Sequence, residues 1–159
     1  MKKYIFFLLL LFCISCHEPK EIFEPHVKNN TNYSIAILIG HESRYKYVKD
    51  TILYGDFEQY VIELIKPNEN SSLYYTLINK ELSQTDTLSL FITNEDLFYS
   101  NSWNDICEKY LILCRYDLSG RDIQHLNYII SYPPSPEMRT MHIYPSYDEI
   151  LERCENKEN

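Results

Sequence analysis

Alternating hydrophobic and polar positions in the middle of the chain predict β-strands. In segment 33–39, Tyr33 and the isoleucines at every second position share one face, while Ser34 and Ala36 take the other. This period of two is the signature of a half-buried strand. Further strands are predicted at 44–53, 57–65, 73–78, 87–93, 110–116 and 138–144. The strands at 44–53 and 57–65, which are joined by a turn at 54–56, are expected to be neighbours in a meander.

Helix-capping residues predict where the chain leaves extended structure. Ser119 can cap the amide of Asp122, and Leu118 and Ile123 stand at the two positions of a hydrophobic staple. A helix is therefore expected from Ser119 to about residue 127, followed by an extended segment. Three other serines and asparagines at comparable positions suggest short helical turns, namely Asn94, Ser102 and Ser146.

The balance of these elements predicts a fold that is mainly β. Strands outnumber helices, and no regular strand-helix alternation calls for a parallel sheet. We expect an antiparallel, β-sandwich-like domain with one or two short helices packed on it. The 159 residues, 45% hydrophobic and 24% charged, supply enough apolar material for the core of one domain.

The N-terminal residues resemble a targeting segment. Lys2 and Lys3 form a basic start, and residues 4–14 are an uncharged apolar run too short to span a bilayer. The small residue Ser15 precedes Cys16, as at the cleavage site of a bacterial lipoprotein signal. The sequence therefore predicts a signal peptide at 1–15, cleavage between Ser15 and Cys16, and lipidation of Cys16.

Two alternatives to this cleavage stay open: an ordinary secretory signal and an uncleaved anchor. The lipoprotein pattern usually has leucine where this chain has Cys13, whereas Cys13 itself follows the bulky Phe12 and is a poor cleavage site. Residues 16–28 carry two prolines and mixed charge, which predicts a flexible tether to a domain at 29–159. We expect attachment to the cell envelope, with the outer membrane favoured and the leaflet undetermined.

Charge and residue counts narrow the classes of partner. The net charge is −8, and removal of Lys2 and Lys3 with the signal leaves 13 basic against 23 acidic residues, a net charge of −10. An acidic chain repels phosphate backbones, so no nucleic-acid partner is expected, and membrane association should come from the lipid.

Cysteines and histidines give no indication of a metal site or cofactor. Cys107, Cys114 and Cys154 would stay in the mature domain with Cys16 acylated, so at most one disulfide can form there. Cys107 and Cys114 match no zinc spacing and are expected to be small buried hydrophobes. The five histidines are scattered, and we expect no metal and no cofactor.

Arg115, Asp117 and Ser119 are the candidate polar site. Arg115 and Asp117 alternate with Tyr116, so both charges should point to one face of a strand. One interpretation is a structural clasp between the two charges. The other is a binding site for a small anion, beside the helix start at Ser119.

Three segments resemble the C-terminal part of small lipoproteins of Bacteroides and related bacteria, namely Arg115-Tyr116-Asp117-Leu118-Ser119, Leu126-Asn127 and Tyr132-Pro133-Pro134 with Met138 after it. This resemblance implies an envelope lipoprotein and assigns no catalytic residue. In such organisms Asp-Thr followed by an apolar residue resembles an O-glycosylation acceptor site. Thr51 and Thr87 match it, although both also fit ordinary junctions between a turn and a strand.

Three functions fit the sequence. The first is a non-catalytic envelope component that binds another protein or belongs to an assembly. The second is a glycan-binding module, because the 15 tyrosines and Trp103 offer faces for stacking on sugars. The third is a hydrolase, but the sequence contains no nucleophile elbow, no zinc motif and no phosphate-binding glycine loop.

Overall fold

The structure, a computed structural model, describes residues 24–40, 60–73 and 87–158. The predicted strand at 44–53, nearly all of the one at 73–78 and the start of the one at 57–65 lie outside these ranges. Ser15, Cys16 and Thr51 also lie outside them.

The described residues form eight strands, four α-helices and one 3-10 helix. The strands are β1 His26–Asn29, β2 Ile35–Gly40, β3 Tyr60–Ile65, β4 Asn70–Ser72, β5 Thr87–Asn94, β6 Cys114–Ser119, β7 Ile129–Tyr132 and β8 His142–Tyr144. The α-helices are α1 Glu95–Ser100, α2 Trp103–Glu108, α3 Gly120–His125 and α4 Tyr147–Glu158, and the 3-10 helix is Pro136–Thr140.

These strands make two sheets, which confirms the mainly β fold class. One sheet has the order β4-β1-β7 and the other the order β3-β2-β5-β6-β8. All pairs are antiparallel except β1 with β7, which run parallel. A parallel neighbour needs a long crossover between its strands, and here most of the chain separates β1 from β7.

The inner core combines side chains from both sheets. The predicted inward faces of β2 and β5 are confirmed, since their alternate residues are buried together with Tyr116 of β6. Val27 of β1 and Ile130 of β7 belong to the same cluster, as do Ile123 of α3 and Ile150 of α4. The two sheets therefore share one apolar layer, as expected for a sandwich-like arrangement.

A second cluster covers the opposite, outer face of the five-stranded sheet. Ala36 and Leu38 of β2 and Phe91 of β5 pack there against Phe98 of α1 and Ile106 of α2. Asn94 and Ser102 cap these two helices, as predicted. Both faces of the central strands are thus buried. Arg115, which β6 places on the outer face, lies beside this cluster, next to Phe91.

The predicted tether extended too far along the chain. The prediction covers residues 16–28, but His26–Asn29 is the central strand of the three-stranded sheet and Val27 is fully buried. Pro25 and the mixed charges suggested a linker, and a four-residue strand carries too few positions to show alternation. Backbone pairing with β4 and β7 fixes this segment.

The strand predicted at 110–116 is shifted toward the C-terminus, to β6. The backbone first closes α2 with a Schellman motif, in which the Leu111 amide donates to the Ile106 carbonyl at 3.1 Å. Tyr110 takes the left-handed conformation, with φ of 48°, at the position where glycine is usual. The strand can begin only after this turn.

The strand predicted at 138–144 is correct only at its end. Residues 136–140 form a 3-10 helix that starts at Pro136, whose missing amide is no loss at a first helical position. Met138 of this helix is fully buried. Extended structure returns at β8, His142–Tyr144.

The other predicted helix starts agree with the structure. Ser119 and Asp122 form a reciprocal capping box at α3, and the Ser146 amide and hydroxyl donate to Glu149 at the start of α4. The helix expected to reach about Asn127 ends at His125, because the Tyr128 amide bonds back to the Ile123 carbonyl at 2.9 Å. Among the described residues, no helix combines the length and hydropathy needed to cross a membrane.

Candidate functional site

Strand β6 carries the two charged residues of the predicted polar site to the outer face of the five-stranded sheet. Tyr116 points into the inner core between them, as predicted. Arg115 and Asp117 are nearly buried, with exposed fractions of 6% and 3%. Burial of this degree is unusual for charged side chains and requires compensating hydrogen bonds.

Asp117 receives these hydrogen bonds from three sides. The Arg115 Nε–H donates to Oδ1 at 2.8 Å, and the Ser89 hydroxyl donates to the same oxygen at 2.6 Å. The His142 Nδ1 lies 3.1 Å from Oδ2. Strand register explains the meeting, since Asp117 is directly opposite Ser89 on β5 and His142 on β8.

The remaining part of the Arg115 guanidinium is left for other contacts. Its Cζ lies 5.3 Å from the centre of the Phe91 ring, in a cation-π arrangement. Its terminal amino groups have no hydrogen-bond partner among the described residues. No side-chain nitrogen or oxygen of these residues is both buried and without a hydrogen bond, so the terminal amino groups are in contact with solvent. A pre-oriented guanidinium edge of this kind matches carboxylate or phosphate oxygens.

Aromatic side chains lie next to this edge. Tyr144, which is directly opposite Arg115 on β8, is 62% exposed and makes an edge contact with Tyr110 at 6.5 Å between ring centres. Burial raises the pKa of the Tyr110 hydroxyl, and the Arg115 guanidinium opposes that rise. We call Ser89, Arg115, Asp117, His142, Tyr110 and Tyr144 the β6–β8 site.

The order of hydrogen bonds in the β6–β8 site differs from that of a catalytic triad. In a triad a histidine lies between the carboxylate and the serine hydroxyl. Here Ser89 and His142 both contact the carboxylate of Asp117, so the Ser89 hydroxyl donates its hydrogen bond to this carboxylate and not to the imidazole. The arrangement holds Asp117 and Arg115 in place and does not activate Ser89.

The third predicted residue, Ser119, does not join Arg115 and Asp117. Its hydroxyl donates to the Asp122 carboxylate at 2.6 Å and its backbone amide donates to the same group at 2.8 Å. Ser119 is thus occupied by the capping box. Thr87, a predicted glycosylation site, is the half-buried first residue of β5, at the junction into the strand.

A second concave place, not predicted from the sequence, lies between α4, strand β7 and the residues that precede β2 and β6. This cleft has a volume of about 340 Å³. Its apolar walls include Ile112, Leu113 and Ile150, and its polar lining is Tyr33, Tyr132, Arg153, Cys154 and Asn156. We call it the α4 cleft.

A chain of hydroxyl and thiol groups lines the α4 cleft. The Tyr33 and Tyr132 hydroxyls are 3.2 Å apart, and the Tyr132 hydroxyl is 3.7 Å from the Cys154 sulfur. Burial raises the pKa of both tyrosines, so they stay protonated as hydroxyl donors at neutral pH. Among the described residues, Cys107, Cys114 and Cys154 form no disulfide, and Cys114 is buried as expected, whereas Cys107 is only partly buried.

No local sequence pattern predicts that Ser89 and His142 contact Asp117 or that Tyr33 contacts Tyr132. His142 and Ser89 lie 25 and 28 residues from Asp117, and Tyr33 lies 99 residues from Tyr132. Only the strand order brings them together. Among the described residues, no group of three or more histidine, cysteine and acidic side chains is placed to hold a metal ion.

Comparisons with known proteins complete this description. No protein-family model, no curated protein and no solved structure matches the chain. The candidate function therefore depends on the residues and contacts described above.

Proposed function

We propose that the protein is a lipid-anchored component of the bacterial cell envelope that binds a partner molecule through the β6–β8 site. The sequence around Ser15 and Cys16 supports acylation at Cys16 and attachment to a membrane, with the outer membrane as the expected one. The acidic mature chain supports an uncharged means of attachment, because it would not be drawn to anionic head groups.

The observation that carries the binding role is the state of the Arg115 guanidinium. Taking an arginine out of water costs several kcal/mol, and Asp117 offsets that cost with one hydrogen bond at Nε. The terminal amino groups remain oriented and without a partner among the described residues. This arrangement suits an envelope protein or small molecule that presents a carboxylate, since two parallel hydrogen bonds to one arginine give both affinity and orientation.

The neighbouring aromatic residues favour a second candidate, a glycan-binding module. Tyr144 offers an exposed ring beside Arg115, and Tyr110 supports it with an edge contact. A sugar ring can stack on such a face while an acidic substituent pairs with the guanidinium. Trp103, in contrast, packs against the outer apolar cluster and is less suited to stacking.

Lipidation is tested by feeding an expressing Bacteroides strain an alkyne-tagged fatty acid. The wild-type chain should carry the tag and its mature N-terminus should be Cys16, while a Cys16→Ser variant should carry none. An untagged wild-type protein, or one that begins elsewhere, refutes the anchor.

Binding is tested with two variants matched in chemistry and exposure. Tyr144→Ala removes the exposed ring of the β6–β8 site, and Tyr99→Ala removes a similarly exposed ring on α1, at 66% exposure. Proteins captured from solubilised envelope should be lost with Tyr144→Ala and kept with Tyr99→Ala. Equal capture by both variants would exclude this site as the binding surface.

The glycan alternative is separated by a direct titration. A galacturonate oligosaccharide and its uncharged galactose counterpart are added to the labelled protein and followed by NMR. Saturable binding of the acidic sugar alone, lost in Tyr144→Ala, supports the glycan module, and the absence of binding by either sugar removes it.

A further inference from the structure

The α4 cleft has an apolar wall and a wall of hydroxyl and thiol groups. Ile112 and Leu113, which precede β6, and Ile150 of α4 give it an apolar side. The Tyr132 hydroxyl is held in the interior, since the Tyr132 side chain is only 2% exposed and contacts Tyr33 and Cys154. The volume of about 340 Å³ is at the small end of pockets that hold organic ligands.

The outer rim of the cleft carries a cation. Arg153 of α4 lines the cleft and is exposed, and it makes no hydrogen bond and no ion pair within 4 Å among the described residues. Glu149 lies one turn earlier on α4. Its pKa is lowered mainly by hydrogen bonds from Ser146 and, to a smaller extent, by the charge of Arg153. Although the chain as a whole carries a net charge of −8, the rim of this apolar cleft carries a positive charge, which would attract an anionic group.

We infer that the α4 cleft binds a small amphiphilic acid. The apolar body of the ligand lies against Ile112, Leu113 and Ile150, and its carboxylate faces Arg153. The Tyr33 and Tyr132 hydroxyls supply a hydrogen bond to an oxygen of the ligand. Apolar contact provides most of the affinity, and the guanidinium selects the acid over a neutral analogue of similar shape.

This site is separate from the proposed binding role of the β6–β8 site. Apart from Ile112, which packs against the outer cluster, the cleft is lined by residues of the inner core and of α4. Arg115 and Tyr144 lie on the outer face of the five-stranded sheet and do not line the cleft. Loss of one binding activity therefore leaves the other measurable.

Octanoate and octan-1-ol are the probes, measured by calorimetric titration and by NMR with the mature chain carrying Cys16→Ser. Octanoate should bind with a stoichiometry of one and shift resonances of residues that line the cleft. Arg153→Gln should weaken octanoate binding by about tenfold, the effect of losing one charge-assisted hydrogen bond. The same substitution should change octan-1-ol binding by less than about twofold.

Arg121→Gln is the matched control, because Arg121 is an exposed arginine on α3 that does not line the cleft. It removes the same charge and should leave octanoate binding unchanged. Equal weakening by both substitutions would mean a general charge effect and would overturn the proposal. Tighter binding of octan-1-ol than of octanoate, shifts confined to residues elsewhere, or no saturable octanoate binding at millimolar concentration would also overturn it.

Discussion

A double-mutant cycle on the nearly buried ion pair of β6 gives the sharpest test of how the outer face is held together. Asp117→Leu removes the acceptor of three hydrogen bonds, from Ser89, Arg115 and His142, and leaves the guanidinium without its counter-ion. Breaking a buried pair from one side costs about 3–5 kcal/mol, so we expect a loss of about 4 kcal/mol. Arg115→Met leaves Asp117 with its two other partners and should cost about 3 kcal/mol.

The double variant should be much less damaged than the sum of the two losses. Replacing both charges with apolar side chains next to the Phe91 cluster removes the desolvation cost along with the attraction. The main residual loss is the acceptor of Ser89, about 1 kcal/mol. We therefore expect Arg115→Met/Asp117→Leu to lie within about 1.5 kcal/mol of the wild type, whereas independent effects would sum to about 7 kcal/mol.

Urea unfolding of the Cys16→Ser chain, followed by circular dichroism, measures all four corners of the cycle. In a thermal melt of a domain of this size, the same loss of 3 kcal/mol would lower the Tm by about 9 °C. Lys109→Met is the control, because its ion pair with Asp105 is exposed and screened by solvent and should contribute little to stability. Additive losses in the double variant, or a loss below about 1 kcal/mol for Asp117→Leu, would refute the reasoning.

Two further predictions concern the caps and the surface carboxylates. Ser119→Ala should lower the free energy of unfolding by about 1 kcal/mol, measured by urea titration, since it removes the capping hydroxyl of α3, and an unchanged midpoint would contradict this. Hydrogen bonds from neighbouring side chains are the main cause of the lowered pKa values of Asp105, Glu137 and Glu149. Because each folded pKa lies below the unfolded one, this stability is present above about pH 4 and is lost as the pH falls through the folded pKa. The urea midpoint should thus be lower at pH 3 than at pH 6, and a midpoint that does not fall would refute the assignment.

Local patterns predicted the elements that depend on local interactions. The inward faces of β2 and β5 follow from alternation, and the start of α3 follows from Ser119 and its staple partners. Alternation also predicts that Arg115 and Asp117 lie on one face of their strand, as the structure shows. These features involve residues within a few positions of one another, so one stretch of sequence contains all the information.

Features that depend on strand order were not predictable. Which strand lies beside β6 decides that Ser89 and His142 reach Asp117, and no local pattern gives that order. The sequence pattern does not reveal β1, because four residues are too few to show an alternation. The turn at Tyr110 was missed because glycine usually occupies that position, and the chain contains only three glycines.

The position of β1 has a mechanical consequence for a chain attached to a membrane. Ten residues lead from Cys16 to His26, so an anchor at Cys16, as proposed above, would have a reach of at most about 35 Å. Any pull between the bilayer and a bound partner would enter the protein along β1, which is bonded on both sides, to β4 and to β7. A load along a central strand has to shear several hydrogen bonds at once instead of peeling them one by one, so β1 would resist traction applied through the proposed anchor at Cys16.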